Sequence, residues 1–148
     1  EAAVTLLALH KQLCTKYLEQ KARDVDVLDN TTKIVNFLRM KLGGGKKETF
    51  MVLFLNAQNH LLCFDVIPGT VDRATVYARE VLEKAINTKA TAVILAHNHP
   101  TGICEPSPAD IKLTNTIRQV LQPVGILLHD HIIVAPSCYF SFASRRML

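Results

Sequence analysis

The sequence predicts an α/β fold, a mixed sheet flanked by helices. Three observations carry that expectation. At 148 residues and 49% hydrophobic, the chain can bury one sizeable core, with 20% charged residues to cover it. Short apolar runs of strand length alternate with amphipathic stretches of helical period. From residue 60 onward the order is strand, helix, strand, helix, strand, which argues for βαβ crossovers and a sheet covered by helices.

The elements follow from local pattern. Residues 2–20 read as a helix, with Val4, Leu7, Leu13, Tyr17 and Leu18 near helical spacing. Residues 21–29 are charged and aperiodic and read as a connector. Asn30 or Thr31 caps a second helix that runs to Leu42 on an apolar face of Ile34, Val35, Phe37 and Leu38. Gly43-Gly44-Gly45 ends it. Thr49 to Leu55 is a nearly continuous apolar run, as in a strand buried on both faces. Asn56 to Asn59 is turn chemistry, and His60 to Ile67 returns as the other arm of a hairpin. Pro68-Gly69 breaks that strand. Residues 74–88 carry a helical face of Val76, Val81, Leu82, Ala85 and Ile86. Ala92 to Ala96 is another buried strand. Residues 108–121 form a helix on Ile111, Leu113, Ile117, Val120 and Leu121. Ile126 to Val134 is a strand, and Tyr139 to Phe142 a last short one. No internal repeat or low-complexity segment interrupts this order.

Composition excludes several function classes. Lysine plus arginine number 17 and aspartate plus glutamate 13, a net charge of +4. The charges are scattered apart from Lys46-Lys47 and Arg145-Arg146, so no continuous nucleic-acid stripe is visible. No window approaches about 18 apolar residues without a charge, and no basic-then-apolar signal peptide opens the chain. A membrane is therefore not an expected partner. Cys14, Cys63, Cys104 and Cys138 form no C-x-x-C pair, so they read as reduced thiols of a cytoplasmic protein. Gly43 to Lys47 lacks the G-x-x-x-x-G-K-[ST] spacing and follows a helix, so it is not a phosphate loop.

The informative stretch runs from His97 to Asp110. His97 and His99 are two residues apart at the end of a buried strand, so both imidazoles point to one side. Two such nitrogens can share one zinc ion at about 2.0–2.1 Å. Pro100 and Gly102 turn the chain, and Asp110 is placed to return as a third ligand. Two histidines, one carboxylate and an open fourth position make a catalytic zinc pattern. Ser107-Pro108-Ala109-Asp110 also reads as a plain helix start: a serine cap, a proline in the first position and an acid in the first turn. The two readings are compatible.

His97-x-His99, seven residues, then Ser107-x-x-Asp110 matches the JAMM motif of MPN-type metalloproteases. Ala96 to Gly102 and His129 to Val134 resemble the bacterial RadC family, from about residue 30 to the last residue. Thr101 stands where that family often has serine. The resemblance implies an MPN/JAMM-like fold with cytidine-deaminase-like layering over residues 30–148. It implies Zn²⁺ held by His97, His99 and Asp110, with water at the fourth position. A glutamate at the start of an early strand would act as base, and Glu48 matches that place. Ser107 would steady the water or the developing oxyanion. Complete RadC proteins begin with a helix-hairpin-helix region. Residues 1–29 show no paired hairpin and read as one helix and a connector, the end of a missing upstream domain.

Glu48 has rivals. Glu80 and Glu83 read as a solvated helix face, and Glu105 as an exposed loop residue. His129-x-His131 has no third ligand to complete a metal site and reads as a structural or outer-shell pair. His10 and His60 read as surface residues. The implied activity is hydrolysis of a peptide or isopeptide bond in an unknown protein or peptide substrate. A zinc deaminase needs H-x-E and P-C-x-x-C, and both are absent. The alternative is a non-catalytic module binding DNA or protein in repair or recombination, with DNA association through the missing N-terminal region.

Overall fold

The computed structural model describes residues 2–24, 26, 31–68 and 74–148. In chain order the elements are α1 (Ala2–Asp24), α2 (Thr31–Leu42), β1 (Thr49–Leu55), β2 (Leu61–Pro68), α3 (Ala74–Asn87), β3 (Ala92–Asn98), α4 (Pro108–Leu121), β4 (Leu127–Val134) and β5 (Tyr139–Ser141). The five strands form one sheet in the order β2-β1-β3-β4-β5. β1 is antiparallel to β2 and β3, β3 is parallel to β4, and β5 is antiparallel to β4. The expected mixed sheet flanked by helices is present. The β1–β2 hairpin forms as read, but the crossover through α3 skips a place, because β1 lies between β2 and β3.

Alternation divides the core into two layers. Met51, Leu53 and Leu55 of β1 and Ala92, Ile94 and Ala96 of β3 face α2, meeting Phe37 and Leu38. Phe50, Val52 and Phe54, with Val93 and Leu95, face α3 and α4. β1 and β3 are therefore apolar at nearly every position, because both faces are covered. His97 takes the place the next apolar residue of β3 would occupy, on the α3 and α4 side.

β4 carries a bulge. Val93 pairs with Leu128 and Ile94 with Asp130, so His129 has no partner in the ladder. The extra residue changes which side chain faces which layer. Leu128 and His131 both fall on the α3 and α4 side although they are three apart. In an unbroken strand they would face opposite ways.

Three expectations need correction. The connector at residues 21–29 is shorter than read, because α1 continues to Asp24. Loss of apolar period is not a stop signal, and Lys21, Ala22 and Arg23 are good helix formers. Val25 and residues 27–30, including the cap candidate Asn30, lie outside the described residues, as does Gly69. Val4, Leu7, Leu13 and Tyr17 do recur on a helix, but all four are exposed. Cys104 and Cys138 are not reduced thiols. They form a disulfide across 34 residues, while Cys14 and Cys63 are free. Sequence spacing could not show that a loop and the β4–β5 turn bring these two Cα atoms to 6.2 Å.

Candidate metal centre

Three elements deliver the site. β3 ends at the C-terminal edge of the sheet, where His97 is still inside the barrier of α3 and α4 and His99 begins the next turn. Gly102 then takes a left-handed conformation with φ of 85° and helps turn the loop back. α4 starts at Pro108 and places Asp110 in its first turn.

That helix start is a full capping box. The Ser107 side chain accepts from the Asp110 backbone N–H at 3.1 Å, and the Ser107 N–H donates to Asp110 Oδ2 at 2.7 Å. The Ser107 hydroxyl also donates to Oδ2 at 2.7 Å. Capping thus aims the carboxylate, and Asp110 presents it to both histidines. Oδ1 lies 3.2 Å from His97 Nε2, and Oδ2 lies 3.5 Å from His99 Nε2. The two imidazole Nε2 atoms are 2.9 Å apart. His97, His99 and Asp110 therefore form a group able to hold one metal ion, and it is the group of this kind among the described residues.

The distances fit a tetrahedral ion. Ligand atoms about 2.0–2.1 Å from zinc at tetrahedral angles lie about 3.3 Å from one another. The proton count fits as well. His99 Nδ1 is 2.8 Å from the Ile103 carbonyl, which can only accept, so Nδ1 carries the proton and Nε2 presents a lone pair. The Asp110 carboxylate is an acceptor too. Burial pushes its carboxyl pKa up, but the hydrogen bond and charge of His97, with both Ser107 bonds, outweigh this. The net result lies well below the usual carboxylate range. His97, His99 and Asp110 meet in a site whose side chains are only 2–11% exposed, where positive charge, from a proton on His97 or from a metal ion, balances the carboxylate.

The second H-x-H splits. His131 is fully buried, with Nε2 2.9 Å from His97 Nδ1 and Nδ1 2.6 Å from Thr114 Oγ1. Burial, with His97 and His99 as neighbours, holds its pKa well below the ordinary histidine value against the opposing pull of Asp110. His129, the bulge residue, turns the other way and meets Asn59 Oδ1 through Nε2 at 2.9 Å. Thr114 is the participant that sequence reading missed. Its spacing of four from Asp110 puts both on one face of α4, a signal that was available but common.

Glu48 immediately precedes β1 and is half-buried. Phe50 pairs with His97 at the end of the β1–β3 ladder, and Glu48 lies two residues before Phe50, just outside that ladder. Glu80 and Glu105 are exposed, as is Glu83. Asn98, on the far side of β3, accepts from the Thr49 N–H at 2.7 Å and ties this strand start to the metal strand. His10 is exposed, whereas His60 is half-buried.

The chain is similar to known proteins over nearly its whole length. The pattern of the RadC-like JAB domain matches residues 28–147. A UPF0758 protein of Vibrio cholerae is 45% identical over 132 residues, covering 88% of this chain and 83% of that protein. UPF0758 proteins of Pseudoalteromonas translucida and Chromobacterium violaceum are 39% and 40% identical over 93% and 100% of this chain. This chain spans 62% and 66% of the length of those two.

Proposed function

The chain belongs to the RadC-like JAB domain family, and from that premise we propose that it is a zinc-dependent hydrolase of peptide or isopeptide bonds. The observation that carries the proposal is the convergence of one potential ligand atom from each of His97, His99 and Asp110, all within 4.8 Å of one another. Binding DNA or protein alone would not require this buried set of three potential ligands, which favours the hydrolase over a non-catalytic module.

His97 and His99 would hold zinc through Nε2, and Asp110 through a carboxylate oxygen. When bound, the ion would supply Lewis acidity and a water able to lose its proton near neutral pH. Glu48 is the base in this proposal. Its place two residues before Phe50, the strand partner of His97, supports it, and a half-exposed carboxylate can take a proton and return it to the leaving amine. The Ser107 hydroxyl donates to Asp110, which supports a positioning role; steadying an oxyanion would require that proton to be redirected. The substrate in this proposal is a protein or peptide.

The test is metal content followed by turnover. Protein purified with zinc should hold one ion per chain by elemental mass spectrometry, and a His97→Ala, His99→Ala double variant should hold none. Glu48→Gln should keep its zinc and lose at least about 100-fold in hydrolysis of a peptide library, the usual size of a general-base contribution. Wild-type protein with well under one ion per chain contradicts the reading. Loss of zinc from Glu48→Gln moves that residue into the metal's own ligand set.

A further inference from the structure

The contacts behind His97 form a continuous line into α4. Thr114 Oγ1 is 2.6 Å from the Asp110 carbonyl oxygen and 2.6 Å from His131 Nδ1. His131 Nε2 is 2.9 Å from His97 Nδ1. His97 Nε2 is the atom that faces Asp110. We infer that Thr114 and His131 are positioning residues that fix the proton of His97 on Nδ1 and so keep its Nε2 open for the metal.

The direction of the line follows from which atoms own protons. A backbone carbonyl can only accept, so the single Thr114 hydroxyl proton goes to Asp110. The Thr114 oxygen must then accept at its other contact, which places a proton on His131 Nδ1. His131 is fully buried and no carboxylate hydrogen-bonds to its ring, so it carries one ring proton only. Its Nε2 therefore accepts, and the donor is His97 Nδ1–H. A neutral His97 with its proton there has a lone pair on Nε2. Each step forces the next from the helix carbonyl to His97 Nδ1, and when a metal ion displaces any proton on Nε2 the lone pair lies there.

Packing holds the line in place. The His131 ring stacks on Phe142 at 4.9 Å between centroids and meets Phe50 edge-on at 6.0 Å. The β4 bulge puts His131 on this side of the sheet. Thr114 is 1% exposed. Asp110 enters twice: its carboxylate faces the ion site and its carbonyl anchors the relay, so one helical turn sets both.

The inference rests on the metal reading above, and its test separates the two. Thr114→Val is nearly isosteric but removes the acceptor for His131 Nδ1–H. His131 should then move its proton to Nε2, which drives the proton of His97 onto Nε2, where the ion would sit. Zinc titration against a chelating competitor should show affinity reduced by about 10–100-fold, the usual effect of losing an outer-shell partner. Thr114→Ser should restore affinity to within a few-fold of wild type. Nitrogen-15 spectra of the histidine rings, with or without zinc, should show His131 protonated at Nδ1 in wild type and at Nε2 in Thr114→Val. Thr114→Ala should act like Thr114→Val if the valine variant folds poorly. Zinc-loading wild type with unchanged affinity and unchanged ring spectra in the valine variant overturns the relay and leaves the metal reading standing. A wild type that takes up no zinc overturns both.

Discussion

Acid should unfold this protein early, and the reason lies in single histidines. His131 sits well below its ordinary pKa in the fold, foremost because it is buried. The unfolded chain takes up that proton near pH 6.5, while the folded chain refuses it. Below about pH 7 the unfolded state therefore binds more protons, and stability falls as pH falls. The slope is at most about 1.4 kcal/mol per pH unit for one such group. His129 shifts in the same direction by burial, partly offset by Asp26, and adds less because it is half exposed. Urea melts of zinc-free protein from pH 7.5 to 5 should show a steady loss of stability; a flat profile contradicts a neutral buried His131. At this scale the sequence was partly legible. His97, His99 and Asp110 stand out because residue type and spacing both constrain them. Thr114 does not, because a threonine four residues from an aspartate is ordinary in any helix, and only the packed β4 strand reveals what it touches.

At the scale of elements, the loop between β3 and α4 is held at both ends and in the middle. β3 fixes His99, the capping box fixes Asp110, and the Cys104–Cys138 disulfide ties the intervening segment to the β4–β5 turn. Cys104 directly follows Ile103, whose carbonyl orients His99. Opening the link should therefore loosen the site as well as the fold. Closing a loop of 34 residues is worth about 4 kcal/mol, which corresponds to roughly 8–16 °C in Tm for a chain of this size. Calorimetry of Cys138→Ser against the oxidised protein should show that loss, and zinc should bind more weakly in the variant. An equal Tm contradicts the clamp. Element boundaries were readable here because Gly, Pro and cap residues mark them. The disulfide was not, because pairing depends on where distant loops meet in space.

For the whole molecule, the sheet rather than the first helix carries the stability. Leu95 is fully buried between β1, β4 and the α3 and α4 layer, whereas Leu13 on α1 is 60% exposed. Leu95→Ala should cost about 2–5 kcal/mol, and Leu13→Ala should fall within about 0.5 kcal/mol of wild type; urea denaturation measures both. A reversal would place the core at α1. The apolar run of β3 announced a central strand, whereas the spaced apolar residues of α1 announced only a helical face, and the fold shows that Val4, Leu7, Leu13 and Tyr17 on it are left exposed.

The unpaired His129 has a genetic consequence. Because it is surplus to the ladder, an in-frame deletion of its codon heals the strand and leaves His131 beside His97. Such a shortened gene should still yield a folded product with full zinc affinity, missing only the tie to Asn59. What descendants of this protein must inherit along β4 is the parity of its faces, not its length.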